Sequence, residues 1–192
     1  MKHFDCLFLL AGTITLLSPA PTLAGGAAVV PIDPKAAYLH VCNDAALNAP
    51  ALSLAGLGIL PGETILIEVL GDWDCGPCAD TEIATGAVFS GSATLLGGAQ
   101  SHRVPDAIAA GTPTVTGNTF WCSTPTDIPE DFRVDAAVMV VVPPGATHLF
   151  IGALDSLYDD NSDPDADYSV RITSVSVSVE PTTWGKVKSL YR

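Results

Sequence analysis

Residues Ala136 to Val142 and Thr147 to Leu154 form two nearly unbroken apolar runs, separated by Pro143-Pro144-Gly145. Each run is short for a helix and reads as a strand buried by a facing sheet. The Pro-Pro-Gly between them ends the first strand and supplies a turn into the second. Two such strands need apolar layers on either side, which points to an all-β architecture.

The rest of the chain agrees. In Glu63-Thr64-Ile65-Leu66-Ile67-Glu68-Val69, the residues Ile65, Ile67 and Val69 share one face, which is the period-2 signature of a strand. Ala37 to Cys42 is an expected strand. Leu52 to Leu60 is an apolar piece ended by Pro61-Gly62, and Asn118 to Cys122 reads as a short strand anchored by Phe120 and Trp121. Tyr168, Val170 and Ile172 share a face, as do Val175, Val177 and Val179, but the two sets differ in phase, so either a bulge or a bend near Thr173-Ser174 is expected. Cys75 to Gly117 is dominated by Gly, Ala, Ser and Thr, with Ala87 to Leu96 its one strand candidate, and low regularity is expected there. No segment shows a 3.6-residue period. The expected fold is an antiparallel β-sandwich of about eight strands.

The N-terminus carries Lys2, an apolar run to Leu17, a Ser18-Pro19 break and Thr22-Leu23-Ala24. This is the pattern of a cleaved signal peptide spanning residues 1–24. A mature chain of 192 − 24 = 168 residues follows, with a domain over 25–181 and a tail over 182–192. Lys186, Lys188 and Arg192 make that tail basic, consistent with either a loosely held terminus or an address for export or surface attachment. The expected location is outside the cytoplasm, either secreted or on the cell surface or in the periplasm. No other run reaches the roughly 20 apolar residues of a membrane span.

The net charge is −13, from 8 Lys+Arg and 21 Asp+Glu. Such a chain disfavours nucleic acid and suits cations or neutral partners, with self-assembly into a homo-oligomer left open. Four cysteines remain after processing, Cys42, Cys75, Cys78 and Cys122, and four in an exported chain imply disulfides with three pairings open. Easy closure of a short loop favours Cys75 with Cys78, leaving Cys42 with Cys122.

The second apolar run ends in a loop crowded with carboxylates. From Asp155 to Asp167, six of thirteen residues are Asp, and Asn161 stands among them. Carboxylates at that density repel one another unless solvent or a cation offsets them. Asp, Asn and exposed main-chain carbonyls are the oxygen ligands that Ca2+ takes, so a calcium loop on a β-scaffold is expected, against the plainer reading of a solvated acidic loop.

Leu60-Pro61-Gly62-Glu63-Thr64-Ile65-Leu66-Ile67, Gly71-Asp72-Trp73, Val142-Pro143-Pro144-Gly145-Ala146, Phe150-Ile151-Gly152, Asp155 and Asp160-Asn161-Ser162 together resemble the small calcium-dependent galactophilic bacterial lectins and their wider secreted relatives. The resemblance runs in order from about Leu54 to Ile172. It implies a sandwich of jelly-roll, galactose-binding-like type. It also implies a calcium held by the side chains of Asp155, Asp160 and Asn161, with main-chain carbonyls from near Leu157 or Tyr158 and from near Cys75. In such lectins sugar hydroxyls complete the metal's coordination, and the corresponding carbohydrate contacts here are Gln100 and His102. The Asp155-to-Asn161 spacing is shorter than in those lectins, and Asp163 stands where a Gly commonly follows the Ser.

Other chemistries fit less well. Asp159-x-Asn161-x-Asp163 begins like an EF-hand loop, but Pro164 and Val170 occupy the positions that need Gly and Glu. Cys75-Gly76-Pro77-Cys78 is the spelling of a thioredoxin-type dithiol, yet the acidic residues after it would raise a thiol pKa, so a thiol-disulfide oxidoreductase is the weaker alternative to a structural disulfide. His148 reads as a core or edge residue, and Trp73 as a core anchor or else a sugar-stacking platform. No enzyme signature is present. The expected function is a secreted calcium-binding module for carbohydrate, the alternative being a structural or cell-surface protein in which calcium only stabilises the fold.

Overall fold

The computed structural model describes residues 27–41, 45–76, 80–110, 120–121, 124–125, 128–155 and 157–175. In chain order the strands are β1 (Ala27–Pro31), β2 (Ala36–Ala37), β3 (Leu47–Asn48), β4 (Leu52–Ser53), β5 (Thr64–Leu70), β6 (Thr85–Ser90), β7 (Ala107–Ile108), β8 (Phe120–Trp121), β9 (Thr124–Pro125), β10 (Phe132–Arg133), β11 (Ala137–Val141), β12 (His148–Ala153) and β13 (Ser169–Ser174). No helix occurs among the described residues, and none is therefore long and apolar enough to cross a membrane. The predicted signal peptide, Cys42, Cys78, Cys122, Val177, Val179 and the tail over 182–192 lie outside the described residues, as do the side chains of Phe120 and Trp121.

The fold is an antiparallel β-sandwich. One sheet has the order β1-β13-β5-β11, and the other β10-β6-β12-β4, with β7 also pairing β6. Alternation on β5 turns Ile65 and Ile67 inward, both 0% exposed. Beside them lie Val170 and Ile172 of β13 and Val140 of β11. Ala87 and Phe89 of β6 and Leu149, Ile151 and Ala153 of β12 join the same core from the second sheet. Side chains from two sheets interdigitating in one core is what period-2 strands achieve when stacked.

The centre of the second sheet is buried on both faces, which explains why its strand β12 reads as a continuous apolar run. Val88 of β6 and Phe150 of β12 point away from the first sheet, into a second cluster with Tyr38, Leu39, Val104 and Ile128. Gly86 and Gly152 face each other in the β6–β12 ladder. A side chain on Gly86 would strike Tyr38 and Leu154, and one on Gly152 would strike the Ala36 carbonyl, so this glycine pair lets the covering segment lie flat on the sheet. The segment is pinned by Arg103, 0% exposed, whose guanidinium donates to the carbonyls of Leu96, Ala37 and Leu39 and to Asn48 Oδ1.

Several sequence expectations are corrected. β11 is an edge strand, not one buried on both faces: Met139 is 48% exposed while Val140 is fully buried. The Cys75–Gly117 region contains β6, a strand buried at all six residues, whose small residues fit between two apolar layers. The candidate over Ala87 to Leu96 begins earlier, at Thr85, and ends at Ser90. Of the expected Ala37–Cys42 strand only Ala37 is in a strand among the described residues, as the end of β2, which pairs in parallel with β3. β13 pairs with β5 without interruption from Ser169 to Ser174, and the Val175 amide continues the ladder onto the Thr64 carbonyl, so no bulge intervenes up to Val175; the expected bend bears on Val177 and Val179, which lie outside the described residues. Six strands have five residues or more, and the remaining seven are two-residue pairings.

Candidate functional site

The ladders decide which loops meet. Leu70, at the end of β5, lies opposite Ser169, at the start of β13; Thr85, at the start of β6, lies opposite Ala153, at the end of β12; and Pro31, ending β1, also lies opposite Ser169. The loops that follow β1, β5 and β12 therefore converge at one end of the sandwich.

Main-chain bridges lock two of them together. Asp74 and Ser162 exchange both amide-to-carbonyl hydrogen bonds, at 2.8 and 2.9 Å, while Trp73 and Glu82 close the β5–β6 loop on itself. The Asp72 amide donates to Asp167 Oδ1 at 3.1 Å. The third loop joins through Asn161 Nδ2, which donates to the Pro34 carbonyl at 3.0 Å, and through Lys35 Nζ, which donates to the Asp159 carbonyl at 2.6 Å.

Each predicted site residue can now be placed. Asn161 is 0% exposed, and with its Nδ2 committed to Pro34 its Oδ1 is buried without a hydrogen-bond partner. Asp160 is exposed, and its carboxylate lies against Gly76, whose φ of 80° and lack of a side chain permit the approach. Cys75 is thereby beside Asp160. Cys75 is half-buried, whereas Cys42, Cys78 and Cys122 lie outside the described residues and so do the predicted pairings. Asp155 is half-buried and engaged with a neighbour, and Leu157 is 45% exposed.

The predicted sugar contacts are placed differently. Trp73 is 1% exposed and packs near Tyr168, with ring centroids 6.4 Å apart, so it is a core anchor with no free face for stacking. Gln100 and His102 are exposed on the loop that carries Arg103. That loop is tied to the segment covering the far face of the second sheet, through Gly98 to Val41 and through Arg103 to Ala37 and Leu39.

Beyond Asn161 the acidic loop turns at Pro164 and at Ala166, whose φ is 60°. Asp163 caps this turn, its Oδ1 accepting from the Asp167 amide and its Oδ2 from the Tyr168 amide, both at 3.2 Å. The turn gathers Asp163, Asp165 and Asp167 so that one carboxylate oxygen from each lies within 4.8 Å of the others. These are not the acids expected as ligands. Asp80 faces them from the other loop. Removal from water, then repulsion by Asp165, Asp72, Asp163 and Asp74, raises its pKa. Asp165 is raised likewise, by desolvation first and then chiefly by Asp167 and Asp163.

Asp74 Oδ1 and Asp80 Oδ1 are, like Asn161 Oδ1, buried and without a hydrogen-bond partner. Each of these three acceptors, on two clasped loops, lacks a donor or a positive charge beside it. Hard oxygen donors of this kind, two anionic and one neutral, suit calcium better than a softer transition metal. Beyond the main chain near Cys75, the carboxylates of the 72–82 loop were missed in the sequence, although Asp72, Asp74, Asp80 and Glu82 within eleven residues mirror the density of the Asp155–Asp167 loop.

No family model, no curated protein and no solved structure matches this chain.

Proposed function

We propose that the protein is an exported calcium-binding β-sandwich module that uses its acidic end to bind carbohydrate. The observation that carries the reading is Asn161: a wholly buried amide whose nitrogen is satisfied and whose oxygen is not. An unpaired buried acceptor costs about 1–3 kcal/mol, and a coordinated cation removes that cost. Asp155, Asp160 and Asn161 would hold the ion, with the carbonyls of Cys75 and Leu157 and with Asp74 and Asp80 close by. Calcium there would offset the repulsion within the loop and offer open coordination positions to vicinal hydroxyls.

Calorimetric titration of the mature protein with Ca2+ tests the metal, and an Asp155→Ala, Asn161→Ala variant should show no binding heat. A glycan array run with calcium and with chelator tests the ligand; no calcium-sensitive hit would remove the carbohydrate part.

A second reading, in which calcium only stabilises the fold, is favoured by the burial of Trp73 and by the attachment of the Gln100–His102 loop to the far face of the second sheet. It expects a chelator-sensitive melting temperature and no ligand.

A further inference from the structure

Four basic side chains lie among the described residues, and three are neutralised or fully engaged. Arg133 pairs with Asp135 at 2.8 Å and Arg171 with Glu68 at 3.6 Å, while Arg103 is buried among carbonyls. Lys35 is different. In the most acidic part of an acidic molecule its ammonium pairs with no carboxylate among the described residues and donates instead to the Asp159 main-chain carbonyl. One of its three N–H donors is used there, and two remain.

Lys35 lines a cavity of about 350 Å³ between residues 32–35 and 161–163. The two carboxylates in its wall, Asp33 and Asp163, accept from main-chain amides, with Asp33 Oδ2 left over. Asp33 Oδ1 accepts from the Lys35 amide at 2.9 Å, and both oxygens of Asp163 accept amides. With the Asn161 oxygen turned to the ion, what the wall leaves open is the Lys35 ammonium and the exposed Ser162. A matching ligand carries an anionic oxygen for the ammonium and a hydroxyl for Ser162. The volume accommodates a single sugar ring and not an extended chain.

We infer that this cavity is a subsite for an acidic saccharide, with the sugar carboxylate held by Lys35 beside the calcium loop. The assignment rests on the calcium reading, since the metal supplies the second positive group that draws an anion to this end of the molecule. A neutral sugar would leave the ammonium unmatched, and a charge-assisted bond is about twice as strong as a neutral one. This is why the carboxylate, and not the ring alone, sets the preference.

The test is calorimetry on the full mature protein with three probes, D-glucuronate, its methyl ester and glucose, each in saturating calcium and in chelator. Glucuronate is expected to bind about tenfold or more tighter than the ester, the difference expected for one charged hydrogen bond. Lys35→Met should erase that preference while calcium binds at least as tightly as in the wild type, because a nearby positive charge has been removed. Lys35→Arg should retain the preference, and Lys35→Gln replaces Lys35→Met if the methionine variant does not fold. Equal affinity for acid and ester, or a preference that survives in Lys35→Met, overturns the subsite whether or not calcium binds. No calcium heat in the wild type removes the metal reading instead, and a Lys35-dependent glucuronate preference that persists in chelator leaves the cavity as an anion site on its own.

Discussion

Replacing Asn161 with Leu separates a metal ligand from an ordinary core amide, because the two roles predict opposite balances in chelator and in calcium. In chelator, the substitution removes the orphaned Oδ1, a gain of about 1–3 kcal/mol, and deprives the Pro34 carbonyl of its donor, a loss of the same order. Leucine fills similar space, so no large cavity term is added. The net change should stay within about 1 kcal/mol. In calcium the balance differs: an ion present at a hundredfold over its Kd stabilises the wild type by about 2.7 kcal/mol. At about 2–4 °C per kcal/mol for a domain of this size, the wild-type melting temperature should rise by roughly 5–11 °C, and that of Asn161→Leu by less than about 2 °C. Thermal unfolding followed by circular dichroism, in chelator and in excess Ca2+, reads both numbers. A variant destabilised by more than about 3 kcal/mol in chelator would mean that Asn161 is a satisfied core group, and an undiminished calcium shift would mean that it is not a ligand.

Three further outcomes are expected. Gly76→Ala places a side chain at positive φ and against Asp160, so it should cost about 1–2 kcal/mol in chelator and lower calcium affinity roughly tenfold by displacing that carboxylate, read by thermal melts and calorimetry. Asp80 and Asp165 have folded pKa values raised above the ordinary 3.8, so their contribution to stability is complete below that value and is lost as pH rises through the raised one. In chelator these two groups should therefore add to the melting temperature as pH falls through their raised pKa values towards 3.8, a contribution that saturating calcium reduces and Asp165→Asn diminishes; an Asp165→Asn profile identical to the wild type over that window would contradict it. Arg103→Met leaves the Leu96, Ala37 and Leu39 carbonyls and Asn48 without their buried donor and should cost about 3–5 kcal/mol by chemical denaturation, with Arg103→Lys recovering only part.

The strand pattern was legible because period-2 burial is a local property. Ile65 and Ile67 alternate with half-exposed neighbours on β5, and that alternation is visible wherever one face of a sheet meets a core. β6 was harder to read. Its Thr-Gly-Ala-Val-Phe-Ser carries little apolar bulk, yet every residue is buried, because Gly86 and Ala87 are small to admit Tyr38 on one side and the first sheet on the other. Its burial comes from partners far along the chain, and composition alone cannot show them. β11 misled in the opposite direction, since an edge strand can be as rich in Val as a central one while facing solvent on one side.

For the site, residue type and charge density along the chain were enough to mark Asp155 to Asp167 as a loop in need of a counter-charge, since like charges a few residues apart cannot escape one another. Convergence was another matter. Asp74 and Asp80 stand opposite that loop only because β5 and β13 are antiparallel neighbours in one sheet while β6 and β12 are neighbours in the other, which brings both crossovers to the same end. The same ladders carry Pro34 to the amide of Asn161, 127 residues away, and so determine which of its polar atoms is satisfied and which is left to seek a partner.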